Sequence, residues 1–121
     1  MQIFFLLMGL MVTGNTMGQF SAHRQLLIFG KEENQLLVKQ QLSLLDKSTG
    51  AVNDRNLKIA VVENGNHLYK RYKINTTQFT VILVGKDRTE KHRTNRILQM
   101  DELFAIIDAM PMRKVEMGEK N

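Results

Sequence analysis

The side chains that could carry out chemistry are few in this sequence, and their spacing does not favour catalysis. The chain of 121 residues contains no cysteine, which excludes a cysteine nucleophile, a redox disulfide and a zinc–thiolate site. The three histidines, His23, His67 and His92, lack the i, i+4 spacing typical of a metal-binding helix. We therefore predict no catalytic residue, no metal and no cofactor.

The remaining candidate groups also have ordinary structural interpretations. Asp101 and Asp108 are seven residues apart, or about 10 Å on a helix, too far to share a proton. Asp108 is better placed to form an ion pair with Arg113. Met110 and Met112 could ligate Cu(I) through their thioethers, but we expect them to fill gaps under a sheet. These groups favour a protein without enzymatic activity.

Positive charge is concentrated in the second half of the chain. The whole sequence carries 17 lysines and arginines against 12 aspartates and glutamates, a net charge of +5. Residues 66–97 hold eight basic side chains and two acidic ones. Such a stretch can form an anion-binding surface, or it can be the solvated surface of an edge strand.

The N-terminus has the pattern of a secretory signal peptide. Residues 3–12 are uncharged and apolar, but a bilayer span needs about 20 such residues. Thr16 and Gly18 would allow cleavage before Gln19. We predict a signal peptide over residues 1–18, a single domain over residues 19–121, and a secreted or periplasmic protein without a stable membrane span. The alternative is a buried N-terminal strand or helix.

A periplasmic or secreted location bears on the choice of partner. It argues against nucleic acid as the target of the basic stretch. An acidic envelope or matrix polymer, or another protein, fits that location better.

The apolar pattern predicts an α/β domain that would position these residues. It indicates four strands, at Gln25–Phe29, Leu57–Val62, Phe79–Val84 and Thr89–Arg93. Helices are predicted after the first strand, around Leu68–Tyr72 and over Met100–Met110, where Pro111 ends the helix. We expect residues 46–56 to form a loop.

The resulting order, β-α-β-α-β-β-α, is that of a thioredoxin-like three-layer domain with a four-stranded mixed sheet. Strands separated by helices are expected to pair in parallel, and the turn at Gly85 predicts one antiparallel hairpin. The third strand should be central, with the fourth antiparallel to it.

Two segments carry a family resemblance, LVGKDRTEKHR at residues 83–93 and ELFAIIDAMPMRKVEM at residues 102–117. They resemble a bacterial domain-of-unknown-function family related to the DUDES domains of vertebrate secreted, matrix-associated proteins. The resemblance implies a thioredoxin-like domain that lacks the redox cysteines. The family has glycines after Gly85-Lys86-Asp87, whereas this chain has Arg88 and Thr89.

The redox features of thioredoxins are both absent. In redox thioredoxins a pair of cysteines lies between the first strand and the first helix. At that place this sequence has residues 30–34, GKEEN. Where a cis-proline precedes the third strand, it has residues 76–78, TTQ. Thiol–disulfide exchange and peroxide reduction are therefore excluded. We expect a non-catalytic extracytoplasmic binding or interaction module; the alternative is a redox- or stress-related enzyme with non-thiol chemistry.

The motif positions provide the candidate site, with either an anion-binding or a structural role. They are Gly85, Lys86, Asp87, Lys91, Arg93, Asp108, Met110, Pro111, Met112 and Arg113. The structural interpretation predicts that Met110 and Met112 contact the core and that Arg113 stabilises the end of the last helix. Loss of Arg113 should then be mild and loss of Met110 severe. The competing interpretation makes Lys86, Asp87, Arg93 and Arg113 a shared anion site.

Overall fold

A four-stranded mixed sheet forms the centre of the protein. The computed structural model describes residues 20–120, so the predicted signal peptide lies outside the described residues. The strands are β1 (Arg24–Phe29), β2 (Leu57–Val62), β3 (Thr80–Val84) and β4 (Glu90–Thr94), in the spatial order β2-β1-β3-β4. The predicted strands are confirmed to within one residue at each end, and β3 is internal, as expected.

The direction of β3 differs from the prediction. Strands β1 and β2 pair in parallel, but β3 is antiparallel to β1 and β4 is antiparallel to β3. The helix between β2 and β3, α3, covers only His67–Arg71. At 1.5 Å per residue it is shorter than a six-residue strand. The chain therefore crosses the top of β1 without returning to the other end of the sheet.

Helices cover both faces of the sheet and complete three layers. Leu26 and Ile28 of β1 point towards α1 (Gln35–Asp46) and α4 (Met100–Asp108), while Leu27 and Phe29 point towards α3. On the second face, the rings of Phe29 and Tyr69 meet edge to face at 5.1 Å. The alternation of side chains along β1 thus divides the core into two clusters.

Two helices are present where the sequence predicted none. Residues 46–56 contain α2 (Thr49–Asp54) rather than a loop. The Thr49 hydroxyl donates to the Asp46 carbonyl at 2.7 Å, and buried Val52 attaches this short helix to the core. Val52 is the one buried residue of α2, so the rest of the segment is polar and has the composition of a loop.

The second unpredicted helix, α5 (Pro111–Lys120), begins at the proline expected to end the preceding helix. Proline is favoured at the first position of a helix because it needs no N–H acceptor there. Helix α4 ends earlier, at Asp108, and the chain bends before Pro111. No helix within residues 20–120 is long and apolar enough to cross a membrane.

A buried amide joins α1 to the segment that leads into α4. Gln41 is fully buried; its Nε2 donates to the Leu98 carbonyl at 3.0 Å, and the Leu98 N–H donates to its Oε1 at 2.7 Å. Both polar ends of the side chain are therefore satisfied. This pair fixes where α4 begins relative to the sheet.

Candidate functional site at the hairpin end of the sheet

The turn between β3 and β4 forms with Arg88 and Thr89 after Gly85-Lys86-Asp87. The Gly85 N–H donates to Thr89 O and the Arg88 N–H donates to Gly85 O, both at 2.9 Å. The Asp87 carboxylate accepts from the N–H and hydroxyl of Thr89, at 3.0 and 2.8 Å. Arg88 has a φ of 67°, a left-handed conformation that costs a non-glycine residue about 1–2 kcal/mol.

The Lys91 side chain crosses the turn close to Gly85. A Cβ at Gly85 would lie 2.6 Å from Lys91 Cε and 3.0 Å from Asp87 Oδ1. Lys91 Nζ donates to Asp87 Oδ2 at 2.8 Å. This hydrogen bond, with those from Thr89, lowers the pKa of Asp87 to about 2. The carboxylate therefore stays ionised and holds the turn together.

Arg113 joins the bend between α4 and α5 to the end of α2. Its side chain is only 3% exposed. It contacts Asp54 Oδ2 at 2.7 Å and Asp108 Oδ1 at 3.2 Å, and donates to the Asp54 carbonyl at 3.0 Å. Arg55 donates to both oxygens of Asp108, at 3.0 and 2.9 Å, and its guanidinium stacks 4.2 Å from the centre of the Phe104 ring.

Glu116, one turn further along α5, joins this helix to the sheet. Both of its oxygens accept from Arg24 of β1, at 3.2 and 3.1 Å, and Oε2 also accepts from Lys86 Nζ at 2.7 Å. Arg24 is 1% exposed and donates further to the Arg55 carbonyl at 2.8 Å. We call these seven side chains the ion-pair network: Arg24, Asp54, Arg55, Lys86, Asp108, Arg113 and Glu116.

The network lowers the pKa of two of its carboxylates, those of Asp108 and Glu116. Hydrogen bonds from Arg55, and then from Arg113, lower the pKa of Asp108 although partial burial acts against them. Burial raises the pKa of Glu116, but hydrogen bonds from Arg24 and Lys86 outweigh it, so the net shift is downward. Both groups thus favour the folded state only while they are ionised.

These shifts predict a loss of stability in acid. A carboxylate whose pKa is depressed on folding contributes fully above its unfolded value and loses that contribution as pH falls towards the folded value. We expect the free energy of unfolding to decline as pH falls below about 4.5, the ordinary value for glutamate. Urea titrations at several pH values will measure this. Glu116→Gln should flatten the decline; a wild-type slope in that variant would contradict the assignment.

Next to the network, the hairpin turn and the α4–α5 bend enclose a cavity of about 210 Å³. We call it the hairpin cavity. Its walls are mainly apolar, from Phe20 and the Met110-Pro111-Met112 segment, and basic side chains lie at its edge. Seven of the ten predicted positions line it: Gly85, Lys86, Asp87, Lys91, Met110, Pro111 and Met112.

The other three predicted positions lie elsewhere. Asp108 and Arg113 belong to the ion-pair network behind the cavity. Arg93 donates to Glu90 and to the Tyr72 carbonyl, both at 2.8 Å. The structure therefore does not bring Lys86, Asp87, Arg93 and Arg113 together, and each has an oppositely charged partner within the chain.

A comparison with protein families gives the chain its classification. The family model described as "Domain of unknown function (DUF4174)" matches residues 19–116. The chain belongs to this family. The match includes every residue that lines the hairpin cavity and every member of the ion-pair network. No curated protein matches the sequence of this DUF4174 chain.

Solved structures similar to the DUF4174 chain have the thioredoxin-like fold. Thioredoxin-2, described as a component of malaria parasite protein secretion machinery, is 19% identical, with a TM-score of 0.58 over 73% of this chain and 84% of that one. The reduced 2-Cys peroxiredoxin of Plasmodium vivax is 17% identical, with a TM-score of 0.58 over 87% of this chain and 84% of that one. A structure described as that of a malarial protein is 19% identical, with a TM-score of 0.57 over 71% of this chain and 94% of that one. At these identities the likeness shows the fold alone, which confirms the predicted fold class.

In the DUF4174 chain, the junction of β1 and α1 is filled by polar contacts. Residues 32–34 form one 3₁₀ turn. Gln35 Nε2 donates to the Gly30 carbonyl at 2.9 Å, and Asn34 Nδ2 donates to Thr77 O at 3.4 Å. No cis peptide bond occurs within residues 20–120. Since the chain has no cysteine, this junction holds no thiol chemistry.

One expectation about the motif side chains was wrong. Met112 does not reach the core, since 41% of it is exposed. Met110 does contact the core, where it is half-buried at the edge. Because Pro111 begins a new helix, Met112 lies on the outer surface of α5, and Arg113 occupies the inward position instead.

Sequence reasoning also missed Arg24, Arg55 and Glu116. Arg24 is the first residue of β1 and precedes an apolar run, a position where a charged residue is usually solvated. Glu116 lies within residues 102–117, one of the two segments that carry the family resemblance, but its partner Arg24 is 92 residues away. No local signal distinguished Glu116 from an ordinary surface charge, since Arg113 lies three residues before it and only 3.7 Å away.

Proposed function

We propose that the protein is a non-catalytic binding module that acts outside the cytoplasm and contacts a partner protein through the hairpin cavity. The observation that carries the proposal is the convergence of family-motif positions on one cavity. The place where thioredoxins carry their cysteines is bridged here by the hydrogen bond from Gln35 to the Gly30 carbonyl. Fold likeness alone would not support an activity.

The walls of the cavity favour an apolar group. Lys86 and Lys91 at its edge are already paired with Glu116 and Asp87, so they offer little net charge to a ligand. Met110 and Met112 provide flexible, polarisable surfaces that adapt to varied shapes. A cavity of about 210 Å³ accommodates one apolar side chain.

Exposed apolar surface continues from the cavity wall onto α5, which favours a protein over a small molecule. Phe20 of the wall is 52% exposed, and Val115, outside the cavity, is 64% exposed. Val115 lies three residues after Met112 and therefore on the same side of α5. An apolar side chain inserted into the cavity would be surrounded by this surface, as at the centre of a protein interface.

The extracytoplasmic location rests on the leader and on the DUDES resemblance. The uncharged apolar run at residues 3–12 supports export, and the matched domain begins after the predicted leader. N-terminal sequencing of the exported fraction should give a chain that begins at Gln19. An exported chain that still begins at Met1 would contradict the predicted cleavage.

Methionine methyl NMR tests the binding site directly. After cleavage the chain retains Met100, Met110, Met112 and Met117. Titration with N-acetyl-leucinamide or N-acetyl-phenylalaninamide should shift the Met110 and Met112 signals most, with little effect at Met100. N-acetyl-glycinamide is the control ligand. Equal shifts at all four methyl groups would contradict a specific cavity.

A matched pair of variants separates the cavity from general hydrophobicity. Met112→Gln removes an exposed wall residue, and Val61→Gln removes a similarly exposed apolar side chain on strand β2, away from the cavity. The first should weaken binding of the apolar amides severalfold and the second should leave it unchanged. Equal effects would overturn the proposal.

The alternative of a redox- or stress-related enzyme gains no support from the geometry. It would need a convergent polar pocket beside Thr76, Thr77 and the loop after β1. Those two loops are instead bridged by Asn34, and neither lines the hairpin cavity.

A further inference from the structure

We propose a second ligand site, for a phosphate or sulfate monoester, on the opposite face of the sheet from the hairpin cavity. A polar cavity of about 260 Å³ lies there between the start of β1, the end of α3 and the hairpin turn. Its charged and polar lining includes Ser21, His23, Gln25, Arg71, Tyr72 and Arg88. We call it the arginine pocket.

The charges of this pocket are positive and unneutralised. No acidic residue lines it. Across residues 20–120, Arg24, Arg55, Arg93 and Arg113 form ion pairs. Arg71, Arg88 and Arg96 form none, and the first two of these line the pocket. Both side chains are exposed, and two guanidinium groups beside one cavity without a carboxylate create a positive potential that favours an anion there. This arrangement differs from the hairpin cavity, whose lysines have partners.

The position of Arg88 strengthens the inference. Its φ of 67° is a conformation that glycine adopts without strain. Backbone strain of this kind persists where the surrounding structure or a function maintains it. The hydrogen bonds of the turn involve the Arg88 backbone, which glycine would provide equally well. What arginine adds is a guanidinium at the edge of the arginine pocket.

The donors of the pocket suit a tetrahedral oxyanion. Arginine presents a planar fork that binds phosphate or sulfate oxygens in pairs. Arg71 lies against the Tyr72 ring, with its guanidinium carbon 5.7 Å from the ring centre, which orients it. Ser21 Oγ accepts from the His23 N–H at 3.2 Å and retains its own proton to donate. The volume leaves room for the group esterified to the anion.

Calorimetric titration at constant ionic strength tests the site. The probes are inorganic phosphate, inorganic sulfate and glycerol phosphate, with acetate as a control anion. We expect binding of the tetrahedral anions, tighter for the ester than for inorganic phosphate. Comparison of the phosphate and sulfate arms identifies the preferred oxyanion. Binding of acetate as tight as that of the tetrahedral anions, or no saturable binding of any of them, would overturn the proposal.

Two variants and one matched control locate the binding. Arg71→Gln and Arg88→Gly should each weaken the affinity for glycerol phosphate at least tenfold. Arg96→Gln, which removes an exposed arginine outside the pocket, should change it less than twofold. Equal losses in all three variants would show that only general positive charge attracts the anion.

Arg88→Gly also separates binding from folding. The substitution relieves a left-handed arginine but adds flexibility to the unfolded chain, so the unliganded variant should melt no lower than the wild type while it loses the ligand. A variant that keeps full affinity would overturn the role of Arg88. Because Met112→Gln changes only the hairpin cavity, it should leave anion affinity intact, so this site and the proposed function can fail independently.

Discussion

Replacing Glu116 with alanine should lower the free energy of unfolding by about 3–5 kcal/mol. Glu116 accepts hydrogen bonds from Arg24 and Lys86, and Arg24 is 1% exposed. Removal of the carboxylate leaves the Arg24 charge buried with only the Arg55 carbonyl as a partner. Burial of an unpaired charge costs far more than an exposed ion pair contributes. Glu116 should therefore stabilise the protein more than an ordinary surface carboxylate does.

Urea unfolding followed by circular dichroism measures the effect. The control is Glu102→Ala, which removes a half-exposed carboxylate that lies 3.6 Å from His92 and should cost at most about 1 kcal/mol. A double variant, Arg24→Met with Glu116→Leu, should recover much of the loss, because apolar residues of similar size often replace a buried pair without penalty. A Glu116→Ala cost equal to that of the control would contradict the network.

The elements predicted correctly were those with a strong local signal. Strand β2 occupies the predicted Leu57–Val62, and β3 differs by one residue, because continuous apolar runs between polar turns are typical of buried strands. The antiparallel hairpin followed from the turn at Gly85, whose N–H bonds to Thr89 O. In each case the residues that determine the structure are close together in sequence.

Features set by distant contacts were not predictable in this way. The direction of β3 depends on the path of the chain over β1 rather than on the β3 sequence. Helix α5 has few apolar contacts and is held by Arg113 and Glu116, whose partners lie on other elements. Seven of the predicted motif positions line the hairpin cavity, but the long-range ion pairs behind it were not predicted. Only the fold brings Arg24 and Glu116 together.

The relative effects of Arg113 and Met110 should be the reverse of what the sequence suggested. Arg113→Ala removes charge-assisted hydrogen bonds to Asp54 and Asp108 from a side chain that is 3% exposed. We expect a loss of about 1.5–3 kcal/mol. The lower end is set by the two carboxylates, which are 44% and 34% exposed and can be rehydrated.

Met110→Ala should cost only about 1 kcal/mol, because Met110 is half-buried and its loss opens an existing cavity rather than creating a sealed one. Arg113→Lys is the informative third variant. It keeps the positive charge but cannot contact Asp54 and Asp108 through a planar fork. It should therefore be less stable than the wild type and more stable than Arg113→Ala. If Met110→Ala were the more damaging change, the bend between α4 and α5 would be held by apolar packing, and the ion-pair network would be secondary to it.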